Sequence, residues 1–183
     1  MKQKIIILPG NGGCDVETAN WYSWARGKLI GLGYNVVMQN MPDGQIAHKD
    51  IWLPFIEKKL GADENAIIIG HSSGGVAALR YLEAHKLLGA IVIGVNHTDL
   101  GDATEKESGY YNTPWQWDKI KVNAKWIVQF CSTEDPYINI NEPLYIQEQL
   151  GSELHDIRGA GHFMTKIFPE LLNAIHAKAP IVK

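Results

Sequence analysis

The chain has 183 residues, of which 45% are hydrophobic and 20% charged. That length and mixture suit one globular domain over residues 1–183 and exclude a disordered, collagenous or coiled-coil chain. Seventeen Lys and Arg stand against twenty Asp and Glu, a net charge of −3, so there is no basic surplus for neutralising phosphates and a nucleic-acid partner is not expected.

Short apolar runs recur along the chain: Ile5–Leu8, Tyr34–Met38, Ala66–Gly70, Ala90–Val95, Trp126–Cys131 and a weaker one at Glu153–Ile157. Continuous runs of this length predict strands buried on both faces, as in a parallel sheet. Helix-like stretches separate them: Asn20–Leu32, with Trp21, Trp24, Leu29 and Ile30 on one side, then Ile51–Leu60, Gly75–His85, Glu142–Leu150 and Ile167–Lys178. This alternation predicts an α/β fold with right-handed crossovers, and chemistry beyond the carboxyl ends of the strands. The first run is stopped by Pro9-Gly10 and is too short for a signal-peptide core. No other run approaches the ~18 residues of a membrane span. A cytoplasmic protein with no membrane contact is expected.

Gly70-His71-Ser72-Ser73-Gly74-Gly75 follows the third run and precedes a helical stretch. A G-x-S-x-G sequence between a strand and a helix is the setting of a nucleophile elbow, a turn so sharp that small residues must flank the serine. Ser72 is therefore the candidate nucleophile. A serine needs a base, and the base an orienting acid, in the chain order Ser, Asp or Glu, His. Asp135, in Cys131-Ser132-Thr133-Glu134-Asp135-Pro136, follows the fifth run, and His162, in Gly159-Ala160-Gly161-His162-Phe163, follows the sixth. Glu134 is the adjacent rival acid, and Asp99 and Asp102 are weaker ones. Taken alone, Asp135 reads as an Asp-Pro turn starter and His162 as a loop residue; together, each past a strand end, they complete a triad.

Pro9-Gly10-Asn11-Gly12-Gly13 ends the first run. It lacks both the G-x-G-x-x-G register and a G-K-[ST] sequence, so a nucleotide site has little support. An oxyanion loop is the better reading, with the backbone N–H of Asn11 or Gly12 as one donor and that of Ser73 as the other.

With these motifs in hand, the chain resembles the retinoblastoma-binding protein 9 family of small serine hydrolases, also called YdeN-like. The resemblance rests on Pro9–Gly13, Asn40-Met41-Pro42-Asp43, Ile51-Trp52-Leu53-Pro54-Phe55, Gly70–Gly74, Ser108-Gly109-Tyr110, Pro114-Trp115-Gln116-Trp117, Thr133–Pro136 and Gly161-His162-Phe163. It implies a compact α/β-hydrolase, a three-layer sandwich with about six mostly parallel strands in the order 2-1-3-4-5-6. It also implies a serine nucleophile with an Asp and a His, which by motif fall on Ser72, Asp135 and His162. The family's namesake association invokes an L-x-C-x-E segment; here Leu60-Gly61-Ala62-Asp63-Glu64 carries Ala62 at the cysteine position, which argues against a retinoblastoma-type pocket protein as partner.

Several residues carry competing roles. Tyr110, Trp115 and Trp117 read either as a pocket wall over the nucleophile or as the packing of a short helix. His71, at the x of the elbow, reads as a packing residue beside the sheet. Cys14 and Cys131 lack C-x-x-C spacing and the histidines lack metal-ligand spacing, so neither a metal nor a cofactor is expected; Cys14 near the glycine loop could be a reactive thiol. The expected activity is metal-independent cleavage of a small ester or amide through an acyl-enzyme. The rival is a non-catalytic interaction module on a hydrolase scaffold.

Overall fold

The computed structural model describes residues 2–181. Its six strands are β1 (Lys4–Leu8), β2 (Asn35–Met38), β3 (Ile67–His71), β4 (Gly89–Ile93), β5 (Ile127–Cys131) and β6 (Glu153–Asp156). All neighbouring pairs are parallel, and the order is β2-β1-β3-β4-β5-β6, as the resemblance implied. Among the described residues there are seven helices: α1 (Tyr22–Leu32), α2 (Lys49–Lys58), α3 (Ser73–Leu82), α4 (Ala103–Ser108), α5 (Trp117–Asn123), α6 (Asn141–Leu150) and α7 (Pro169–Lys178).

The apolar runs are continuous because each strand feeds two cores. Successive side chains point to opposite faces of a sheet. Ile6 and Leu8 of β1 and Ile68 of β3 join Trp52, Ile56, Leu79, Ile120 and Ile146, from α2, α3, α5 and α6, on one face. Ile5 and Ile7 of β1 and Ile67 and Ile69 of β3 join Trp21, Leu29, Leu171 and Ile175, on or beside α1 and α7, on the other. Each buried Ile or Leu contributes about 1.5–3 kcal/mol relative to exposure. The result is the expected sandwich of three layers.

Local signals set the helix ends. Gly33, at φ 105°, closes α1: its N–H donates to Ile30 O and the Tyr34 N–H to Leu29 O, a glycine C-cap that satisfies two of the carbonyls at the helix end. Pro169 starts α7 at a position where its missing N–H costs no hydrogen bond. The structure differs from the sequence reading at several element ends and on one helix face. Ile30, expected on the buried side of α1, is 51% exposed, and the face packed on the sheet is Tyr22, Ala25 and Leu29. Asn20 lies outside α1 at φ 45°. Helix α3 begins at Ser73, two residues before the expected start, which brings its N-terminus up to the elbow. No helix among the described residues is long and apolar enough to cross a membrane.

Candidate active site

A cleft of about 750 Å³ opens at the carboxyl ends of the strands, bordered by Ser72, His162, Asn11 and Glu105. A wider depression of about 900 Å³ lies at the opposite end, around Lys2–Lys4 and Tyr34–Val36, and holds no nucleophile with a base.

Ser72 sits at φ 53° and ψ −124°. A non-glycine residue at positive φ is strained and persists only where surrounding structure holds it. Its N–H donates to Ile93 O at 2.8 Å, and its carbonyl accepts from the Gly75 and Val76 N–H groups of α3. The glycines on either side admit the close approach this turn requires. A Cβ on Gly70 would collide with the Gly74 carbonyl, and a Cβ on Gly74 with the Pro9 carbonyl. The elbow is thereby pressed between α3 and the loop after β1.

His162 follows β6, and Asp135 follows β5. Their side chains meet below the cleft, with His162 Nδ1 at 2.7 Å from Asp135 Oδ2 and side-chain exposures of 6% and 2%. Asp135 Oδ1 accepts from the N–H groups of Tyr137, at 2.9 Å, and Ile138, at 3.0 Å. Burial pushes this carboxyl upward, but the His162 hydrogen bond, the backbone donors and the His162 charge outweigh it, and its pKa falls below the usual carboxylate value. A carboxylate accepting from Nδ1 fixes the imidazole tautomer and leaves Nε2 to act on the nucleophile. The Ser72 hydroxyl makes no hydrogen bond to Nε2; such contacts tighten when substrate orders a site. Gly94 backs the pair at φ 58°, where an added Cβ would lie 3.1 Å from His162 Cε1 and 3.2 Å from Nδ1.

The rival acids are committed elsewhere. Glu134 accepts from Ser132 Oγ, Thr133 Oγ1 and the Gly159 N–H, so it braces the histidine loop. Asp99 accepts from the Gly101 N–H within its own turn, and Asp102 caps α4.

The glycine loop separates its two candidate donors. The Gly12 N–H donates to Gln45 O at 3.3 Å, where the loop pairs with the Asp43–Gln45 turn, so this candidate donor is engaged within the protein. The Asn11 N–H has no protein acceptor among the described residues, and Asn11 borders the cleft. Ser73 is the first residue of α3, so its N–H has no intrahelical acceptor. A Cβ on Gly10 would lie 3.2 Å from Ser72 Cβ, which measures how closely this loop covers Ser72.

Tyr110, Trp115 and Trp117 do not border the cleft, contrary to the pocket-wall reading. Arg80 of α3 explains why. Its buried guanidinium donates to the carbonyls of Tyr110, Thr113 and Pro114 and to Glu83. The Trp115 ring stacks 3.6 Å from Arg80 Cζ, and Trp117 stacks on Trp115 at 4.9 Å. This segment is drawn onto α3, and Tyr110 is fully buried.

Other residues form the cleft wall. Glu105 accepts from Asn11 Nδ2 at 3.3 Å and Tyr111 OH at 3.0 Å, and burial raises its carboxyl above the usual value. Leu100, Tyr137 and Met164 form an apolar rim, with Tyr137 edge-on to His162 at 5.1 Å. Asp102 at the N-cap with Glu105 three residues on is a capping pair that could have revealed α4; nothing local signals that Glu105 turns toward the cleft. His71, read as packing beside the sheet, is buried and hydrogen-bonded to Tyr22 and to the His162 carbonyl. Burial foremost, then the His162 charge, lower its pKa to about 3 against the opposing His162 carbonyl bond and Asp135 charge.

Comparison with known proteins agrees with this geometry. A family profile described as serine hydrolase matches residues 5–167. Serine hydrolase RBBP9 of Rattus norvegicus is 44% identical over 173 residues, covering 94% of this chain and 93% of that protein. The YdeN protein of Bacillus subtilis (strain 168) is 23% identical over 168 residues, covering 90% of this chain and 87% of that one. The crystal structure of the B. subtilis ydeN gene product superposes with a TM-score of 0.87 at 21% identity, covering 97% of this chain and 98% of that chain. With an elbow serine at the head of α3 and near-complete coverage of a relative at 44% identity, the chain belongs to the serine hydrolase family that includes RBBP9 and YdeN, and it is a hydrolase of the α/β-hydrolase fold.

Proposed function

We propose that the chain cleaves a small carboxylic ester or amide through an acyl-enzyme on Ser72. The observation that carries this reading is a strained serine at φ 53° sharing one cleft with a histidine whose Nδ1 is held 2.7 Å from a buried carboxylate. His162 Nε2 takes the Ser72 proton as Oγ attacks the acyl carbon. The tetrahedral oxyanion rests against the N–H groups of Ser73 and Asn11, where the N-terminus of α3 adds a favourable dipole. His162 then protonates the leaving alcohol or amine. Water, deprotonated by the same imidazole, attacks the acyl carbon, and His162 returns that proton to Ser72 Oγ as the carboxylic acid leaves. Asp135 stabilises the imidazolium that forms in both halves of the cycle.

The partner is a small molecule that fits a cleft of about 750 Å³ with one polar wall at Asn11, Asn96 and Glu105 and one apolar rim at Leu100, Tyr137 and Met164. Pocket-protein binding through residues 60–64 is disfavoured twice over: Ala62 replaces the cysteine, and Leu60 is only 3% exposed, packed in the core. The test is covalent labelling by a fluorophosphonate, with hydrolysis of p-nitrophenyl esters and aminoacyl amides of graded size. Wild type labels and turns over, and Ser72→Ala does neither. Equal labelling of the two proteins would remove Ser72 as the nucleophile.

A further inference from the structure

His71 sits one residue before the proposed nucleophile and borders the same cleft, yet both of its ring nitrogens are engaged within the protein. His71 Nε2 lies 2.8 Å from the carbonyl oxygen of His162. A carbonyl only accepts, so Nε2 carries the proton. In the neutral ring Nδ1 is then an acceptor, and it lies 2.6 Å from the Tyr22 hydroxyl. The Tyr22 oxygen in turn accepts from the Gly10 N–H at 3.2 Å and from Asn20 Nδ2 at 3.2 Å. Donor and acceptors of this hydroxyl are all engaged, and the direction of every bond is determined.

The chain of bonds joins three segments that the sheet alone does not hold together: the loop after β1, the elbow after β3 and the loop after β6. The first and the last border the same cleft as Ser72, which stands in the elbow itself. The histidine loop has little regular structure of its own, with Gly159 and Gly161 both at positive φ. It is tied down by the buried Phe163, by two turn hydrogen bonds of its own, by the Gly159 N–H bond to Glu134, by the His162–Asp135 bond and by the His71 bond to the His162 carbonyl. The last of these acts on the very residue whose ring must meet Ser72. The first loop packs against Ser72 at Gly10, and among the described residues the Gly10 N–H reaches no acceptor other than Tyr22.

We propose that His71 and Tyr22 are positioning residues of the hydrolytic reaction, which set the distance between the His162 ring, Ser72 and the Asn11 N–H through the main chain of His162 and Gly10. This rests on the triad reading above. The two side chains move no proton to or from substrate; they hold the reacting groups in register. A displacement on the order of 1 Å in such a constellation costs about 10²-fold in rate.

The experiment uses the full chain, p-nitrophenyl butyrate turnover and the second-order rate of fluorophosphonate inactivation, with thermal melting as a fold control. His71→Leu lowers kcat and the inactivation rate about 10²-fold with KM within threefold of wild type. His71→Gln, whose amide N–H can still reach the His162 carbonyl, recovers most of that loss. Tyr22→Phe, which removes one oxygen and keeps the ring, lowers kcat about tenfold and serves where His71→Leu fails to fold. Three results would overturn the proposal: wild-type inactivation rates in both His71→Leu and Tyr22→Phe, equal losses in His71→Leu and His71→Gln, or a rise in KM at constant kcat. If wild type and Ser72→Ala instead label alike, the triad reading itself fails, and that outcome is separate from the others.

Discussion

Two aromatic clusters flank α3 and do opposite work. On one side, Tyr110, Trp115 and Trp117 are gathered by Arg80 and packed away from the cleft. On the other, Tyr22 and His71 hand hydrogen bonds from Gly10 to His162 around Ser72. Both clusters are rich in rings: Tyr110, Tyr22 and His71 are buried, and Trp115 and Trp117 are half-buried. What separates them is where their polar atoms find partners. The first cluster satisfies the guanidinium of a helix, so it fastens one surface segment to the scaffold. The second satisfies main-chain groups beside Ser72, so it ties together the loops that border the cleft.

The sharpest way to test this division is to compare losses of rate with losses of stability. Asp135→Asn keeps the shape but presents an amide donor to Nδ1 and so selects the wrong tautomer; kcat should fall about 10⁴-fold with little change in melting temperature. If kcat fell less than tenfold, His162 would not depend on Asp135. Arg80→Met should do the reverse. It leaves the carbonyls of Tyr110, Thr113 and Pro114 and the Glu83 carboxylate without their donor, a loss of about 3 kcal/mol in urea unfolding, while kcat of the folded fraction stays within a few fold of wild type. A collapse of kcat at intact stability would put the first cluster in the site after all.

A smaller effect distinguishes the clusters by pH. His71 is neutral in the folded state and its pKa lies at about 3, far below its unfolded value. The unfolded chain therefore binds the extra proton between about pH 6.5 and 3, and stability present above that window is lost as the pH falls through it. Between pH 7 and 5 the loss is about 2 kcal/mol from this group. Urea unfolding at the two pH values should show a shallower dependence for His71→Gln than for wild type; identical slopes would mean that the ring charges without penalty. The Asp135 carboxyl, held below its ordinary value, adds stability above about pH 4 that is lost as the pH falls further. The smallest effect is expected at Trp117→Leu, which should change kcat/KM for p-nitrophenyl esters less than threefold, because Trp117 stacks on Trp115 outside the cleft. A larger change confined to bulky acyl groups would return this ring to the substrate.

The sequence reading recovers elements with strong periodicity and loses those without it. The six strands stand out because apolar runs buried on both faces have no solvent side to dilute the pattern. Helices α4 and α5 escape it: each is shorter than two full turns, and Glu105-Lys106-Glu107 looks like a solvated face. Ile30 is misassigned because α1 carries apolar residues around more than one side, and only its packing on the sheet selects Tyr22, Ala25 and Leu29. The glycines around Ser72 and the Ser, Asp, His order are visible in one dimension, since each residue follows a strand and parallel strands end at one edge.

From its residues alone, the chain determines an alternating α/β architecture, an elbow at Ser72 and the carboxyl edge as the place for chemistry. These are local matters of period, turn sterics and chain order. The tertiary structure alone decides which backbone donors remain free, as between Asn11 and Gly12, and which rings reach the cleft, as between Tyr137 and Trp117. It also decides that His71, one residue from the nucleophile, bonds to the carbonyl of His162 across 91 positions of sequence. A hydrogen bond has one partner and a direction, and no periodicity in the sequence encodes which distant group will stand there when the sheet closes.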